Sequence, residues 1–88
     1  MLTLPATLTY RQALATQQAL NAQLSAQPTV VLDASALTQF DSSTLAVMLA
    51  CRRQAIGAGK TFAVQGLPAK LVQLAGLYGV AQLLVTAA

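Results

Sequence analysis

Short β-branched apolar runs alternate with segments of helical period along this chain, and that alternation leaves few folds open to it. Strand, helix and strand in succession imply a mostly parallel sheet joined by right-handed crossovers. Residues 2–8 form a first extended segment. Pro5 confines it to an edge or splits it into two short strands, because proline cannot donate to a ladder. Residues 10–24 then read as a helix, with Thr9 placed to cap it and Ala13, Leu20 and Leu24 near one face. The run Thr29, Val30, Val31, Leu32 suits a strand covered on both faces. A loop follows over residues 33–41. A second helix over residues 43–56 groups Leu45, Met48, Leu49 and Ile56, and Gly57 and Gly59 stop it. Residues 61–65 read as the next strand. Pro68 opens a third helix that buries Leu71, Leu74, Ala75 and Tyr78, and residues 82–85 close the chain as a strand or a packed tail. The expectation is one α/β domain over residues 1–88, a mostly parallel four-stranded sheet with three helices.

Composition narrows the function. Hydrophobic residues make up 56% of the 88 and charged residues 8%, far below the quarter or so of an average soluble domain. Five cations and two anions cannot cover a domain surface, so apolar groups must be exposed, and contiguous exposed apolar surface marks a binding face. The cations Arg11, Arg52, Arg53, Lys60 and Lys70 are scattered, without interleaved aromatics, which argues against nucleic acid as a partner. No apolar run approaches the roughly 18 residues of a membrane helix, and no charged stretch followed by an apolar one opens the chain. A cytoplasmic protein without direct membrane insertion is expected.

Chemistry has little to use. Without histidine there is no imidazole base. Two aspartates, Asp33 and Asp41, lie at the ends of one loop with nothing to orient them as a pair. Two aspartates and Cys51 are too few for a metal site, so no cofactor, metal or small-molecule substrate is expected. Cys51 fits a small apolar core position. The segment from Gly57 to Thr61 superficially suggests a phosphate loop. It has Gln54 where the pattern needs glycine, and it closes a helix where a phosphate loop opens one, so Lys60 reads as a solvated lysine after a glycine stop.

The informative stretch is residues 40–45, after a strand and opening a helix, on the edge where open parallel sheets carry function. Asp41 and Ser42 suit an N-cap. A phosphate on this rim would meet the positive end of the helix dipole, yet add charge beside Asp41.

Residues 32–45, with Asp33, Ser35, Leu37, Asp41, Ser42, Ser43 and Leu45, resemble the signature of STAS domains, D-x-S-x-L/V-x-x-x-D-[ST]-[SA]-G-[LV]. The following helix, the turn at residues 57–60, the strand after it and residues 66–69 continue the resemblance. It implies a STAS-type fold and a non-catalytic protein that binds another protein. Two branches come into view. The stretch over residues 67–80, rich in leucine and ending Leu77, Tyr78, Gly79, Val80, is similar to the MlaB-type branch. That branch serves as the STAS subunit of ABC transporters that move phospholipid between the membranes of Gram-negative bacteria and maintain lipid asymmetry. Its partner would be the transporter's ATPase subunit, which would hold the chain at the inner membrane. The alternative branch is the anti-sigma-factor antagonist, switched by phosphorylation of the serine that corresponds to Ser42. Antagonists carry glycine where this chain has Thr44, and threonine there fills space a partner's backbone would use. The resemblance places partner contact at Asp41, Ser42, Ser43 and Thr44, with Leu45 behind them and Arg52 further along.

Overall fold

The computed structural model describes residues 2–80, and the expected closing strand or tail at residues 82–85 lies outside them. The elements run β1 (Leu2–Thr3), β2 (Thr7–Leu8), α1 (Ala13–Leu24), β3 (Thr29–Asp33), β4 (Gln39–Phe40), α2 (Ser42–Gly57), β5 (Thr61–Gln65) and α3 (Ala69–Leu77). Three helices and parallel pairing match the expectation. The single four-stranded sheet does not, since the strands form a three-stranded sheet of order β1-β3-β5 and a separate pair, β2-β4.

Pro5 is the reason for the split. β1 pairs in parallel with β3, Leu2 beside Leu32, and the Leu4 amide extends the ladder to the Asp33 carbonyl at 2.9 Å. The chain then leaves the sheet at Pro5. It resumes as β2, parallel to a short strand inside what reads from sequence as a featureless loop. The Ala6 carbonyl accepts from the Thr38 and Gln39 amides at 2.8 and 3.1 Å and from the Thr38 hydroxyl at 3.2 Å. This small bracket holds the connection that leads into α2.

Both crossovers, β1-α1-β3 and β3-α2-β5, step the same way across the sheet. Right-handed connections therefore bring α1 and α2 to one face, where they pack on each other. Leu2, Val30, Leu32 and Val64 point to that face and are buried, and Phe62 packs against them. The other face carries exposed Thr3, Thr29 and Thr61 and half-buried Val31 and Ala63. The expectation of a strand covered on both faces is thus corrected: with both crossovers on one side, β3 is fully covered only there.

Helix α1 begins at Ala13, later than the sequence suggests. Thr9 does not cap it: the Gln12 side chain folds back and accepts from the Thr9 amide at 3.0 Å and hydroxyl at 2.7 Å, closing a turn ahead of the helix. Pro68 sits one position before the first residue of α3, in extended conformation. On α3, Leu71 and Ala75 are buried, whereas Tyr78, beyond the last turn, is 60% exposed. Lys60 is not a freely solvated lysine. Its ammonium donates to the Leu24 carbonyl at 2.8 Å, which also accepts from the Gln27 amide, and to the Ser25 carbonyl at 3.3 Å, so it helps satisfy the acceptors at the end of α1.

The sheet's carboxyl edge is tight at one point. Gly66 has φ +72, and a Cβ there would sit 2.9 Å from the Ser35 amide nitrogen, while the neighbouring Ala34 amide donates to Gln65 at 2.8 Å. Gly66→Ala is therefore expected to cost about 2 kcal/mol or more, from the left-handed backbone and the clash together. Gly57→Ala, with ordinary φ and open space around its Cβ, should be neutral or stabilising by up to about 1 kcal/mol. Urea unfolding of both variants checks the contrast, and equal costs at the two positions would contradict it.

Candidate functional site

The N-terminus of α2 is built by two side chains that face inward. Asp41 caps the helix, one carboxylate oxygen accepting from the Ser43 amide at 2.8 Å and the other from the Tyr10 amide at 3.1 Å. Thr44 completes a capping box by accepting from the Asp41 amide at 3.4 Å. Its hydroxyl hydrogen goes elsewhere, to the carbonyl of Leu8 at the end of β2. Thr44 is fully buried, the one buried polar residue among the described residues. One threonine thus closes the cap and ties α2 to β2.

The residues singled out from sequence separate accordingly. Thr44 and Leu45 are buried: the threonine points into the domain and fills no space outside it, and the leucine lies behind the surface, at the back of a groove beside α2. Asp41 is half-buried and both its oxygens are taken by backbone amides. Ser43 and Arg52 are half-buried, and Ser42 is exposed at the first position of α2.

What α2 shows to solvent differs from the sequence expectation. Its buried residues are Thr44, Leu45, Val47, Met48, Cys51 and Ala55. Leu49 is only half-buried and Ile56 is 50% exposed, so neither belongs to the buried face. Helical spacing from Ser42 puts Ala46, Leu49, Arg53 and Ile56 on one outward stripe. Beside its first half lies a groove of about 240 Å³ walled by Leu45, Ala46, Leu49, Tyr78 and Val80, with Ser42 at its mouth. Leu77, 84% exposed, adjoins it in sequence. Tyr10 is held beside the start of α2 through Asp41, 68% exposed, with the Arg11 guanidinium 5.9 Å from its ring centre. Sequence reasoning put Leu49 and Tyr78 on buried faces and did not single out Ala46 or Arg53 as neighbours of Ser42. For the residues of α2 the signal was the i, i+4, i+7, i+11 series counted from Ser42; Tyr78 carried no such signal.

Asp33, at the end of β3, is held below the ordinary carboxylate range by the Ser35 hydroxyl and then by the Ser35 amide at 3.0 Å. Each aspartate is thus engaged locally, one with Ser35 and the other within the helix cap. Burial raises the Cys51 thiol to about 11, which keeps it protonated and unreactive at neutral pH. No described helix is long and apolar enough to cross a membrane, and the described residues hold no cluster of three or more metal-ligating side chains.

A parallel α/β domain that presents a serine at the capped start of its second long helix has the form expected of a STAS domain. The model of the family described as "Mlab, STAS domain" matches residues 1–86, and the chain belongs to that family, whose members are generally non-catalytic. Among curated proteins none matches the chain.

Thr44→Val keeps the shape but removes the hydroxyl, leaving the Leu8 carbonyl without its donor, and should cost about 1–3 kcal/mol in chemical unfolding. Thr44→Ser should cost less, and equal losses would mean that packing, not the hydrogen bond, matters. For Cys51, stability should be level below the unfolded thiol's pKa of about 9 and fall as pH rises toward 11, because the unfolded chain sheds a proton that the folded one keeps. Alkylation at pH 8 should proceed only as fast as the protein unfolds. Rapid labelling of the folded protein would contradict the raised thiol.

Proposed function

We propose that the protein is a non-catalytic regulatory or assembly subunit that binds the ATPase subunit of a phospholipid-transporting ABC transporter of the Mla type. The observation that carries the reading is the continuous exposed face from Ser42 along the outward stripe of α2 and across to Tyr78, on a chain of the Mlab-described STAS family. Tyrosine and arginine on a largely apolar patch are residues that dominate protein interfaces. On this reading the protein sits in the cytoplasm, peripheral to the inner membrane through its partner. It makes no bond. It regulates only by touching one arrangement of the ATPase better than another, which shifts the population toward that arrangement.

Within this surface Asp41 and Thr44 are positioning residues. They fix the first turn of α2, so that Ser42 and Ser43 are presented in one geometry, while Arg52 borders the stripe further along. A second reading, an anti-sigma-factor antagonist switched at Ser42, draws on one observation: that hydroxyl is exposed at a helix N-terminus, where a kinase could reach it.

One experiment addresses both. The tagged chain is co-expressed with the ATPase subunit of a phospholipid ABC transporter and, separately, with an anti-sigma kinase. Co-purification with the ATPase, and loss of at least tenfold in affinity for Ser42→Arg at unchanged melting temperature, is the expected result. Capture of the kinase together with phosphate on Ser42 in the intact mass would give the antagonist reading. A Ser42→Arg variant that bound the ATPase like the wild type would end the docking reading at this rim.

A further inference from the structure

The groove beside α2 has a chemical character that narrows what can fill it. Its walls are mainly aliphatic or aromatic, from Leu45, Ala46, Leu49, Tyr78 and Val80, and the polar side-chain groups among its lining residues are the Ser42 and Tyr78 hydroxyls. One turn beyond Leu49 on the same stripe stands exposed Arg53, with half-buried Arg52 beside it. Neither arginine has a carboxylate to meet within the described structure. The chain's two acids are committed elsewhere, Asp41 to the amides of Ser43 and Tyr10 and Asp33 to Ser35. The face therefore reads as an apolar slot followed by an uncompensated cation.

From Ser42 to Arg53 the stripe climbs eleven residues, about 16 Å or three helical turns. That length suits a partner helix lying along α2, with apolar anchors spaced by one turn and a charge at the end. We infer that the groove between α2 and the end of α3 receives the apolar face of an amphipathic helix of the partner protein, and that an acidic residue on this helix pairs with Arg53. The inference rests on the ATPase-docking reading and adds the chemistry of the contact element. Charge complementarity carries it: among the described residues the docking face offers cations and hydroxyls and no free carboxylate, in a chain of net charge +3. An ion pair at the rim of an apolar contact sets register and partner choice, while the groove supplies most of the affinity.

The test uses the full chain carrying a photo-reactive phenylalanine analogue in place of Tyr78, co-expressed with the ATPase subunit, with the cross-linked peptide read by mass spectrometry. The expected product joins position 78 to a helical ATPase segment with an Asp or Glu within about one turn of an apolar anchor. Alongside it, Arg53→Glu should weaken binding at least tenfold at 0.1 M salt, by a smaller factor at 0.5 M, and recover when the partner acid is changed to Lys. All of these positions are solvent-facing, so melting temperatures should stay level.

Other outcomes overturn the inference in distinguishable ways. A cross-link to residues 81–88 of the same chain, or to a second copy, would give the groove to that occupant. If Ser42→Arg blocked the ATPase while Arg53→Glu and Tyr78→Ala bound it normally, docking at the rim would stand and the groove assignment would fall. If the wild-type chain bound no ATPase subunit, both would fall together.

Discussion

Everything that presents the candidate surface depends on how the first turn of α2 is joined to the N-terminal segment. Two side chains make the joint. Asp41 bridges the Ser43 and Tyr10 amides, and Thr44 bonds to the Leu8 carbonyl from a site closed to water. Out of water such bonds are costly to lose, because a stranded carbonyl or amide has no replacement partner. Upstream, the β2-β4 pair and the Ala6 carbonyl hold the incoming chain. In a protein with so few charges, this hydrogen-bonded joint does what ion pairs would do elsewhere: it fixes a polar rim against an apolar core.

The same joint separates two roles that lie side by side in sequence. Between residues 41 and 45, the aspartate, threonine and leucine serve the fold, and Ser42 faces outward. Where the signature that the loop resembles has glycine, this chain carries a threonine that is structural. The outward-facing part of the helix begins at Ser42 and then continues along positions a turn apart, toward Arg53 and Ile56, instead of along the loop. Recognition would thus come from the side of α2 and the end of α3, two rigid elements whose spacing the core determines.

Much of the fold was legible because punctuation and periodicity agreed. The strand at residues 61–65 has the bounds that its glycine stop and apolar run suggest, and α2 extends only one residue further at each end. Pro5 correctly marked a break. Other features were hidden for physical reasons. β4 is two residues long and polar at Gln39, so it has no signal of its own and exists through its pairing with β2. Lys60 finds its acceptors 35 and 36 residues away, which no local pattern encodes. The faces of α2 were misjudged because the helix is apolar almost all round: Leu45, Val47, Met48, Leu49, Cys51 and Ile56 give no clear period. Cys51 and Ala55, small residues, take the buried side, and larger Ile56 is left outside. The proposed docking surface was half legible. Ser42 could be read from the resemblance, whereas Tyr78 and Val80 join it only through the packing of α3.

Amide hydrogen exchange tests most directly whether Asp41 and Thr44 weld residues 8–10 to the start of α2. In the wild-type protein the Tyr10 and Ser43 amides, both donors to Asp41, should be protected with similar opening free energies. In Asp41→Ala the two should lose that protection together while the Met48 amide, mid-helix, keeps its own. If Tyr10 remained protected after the carboxylate was removed, the two segments would be held independently, and the joint would not be what presents the surface.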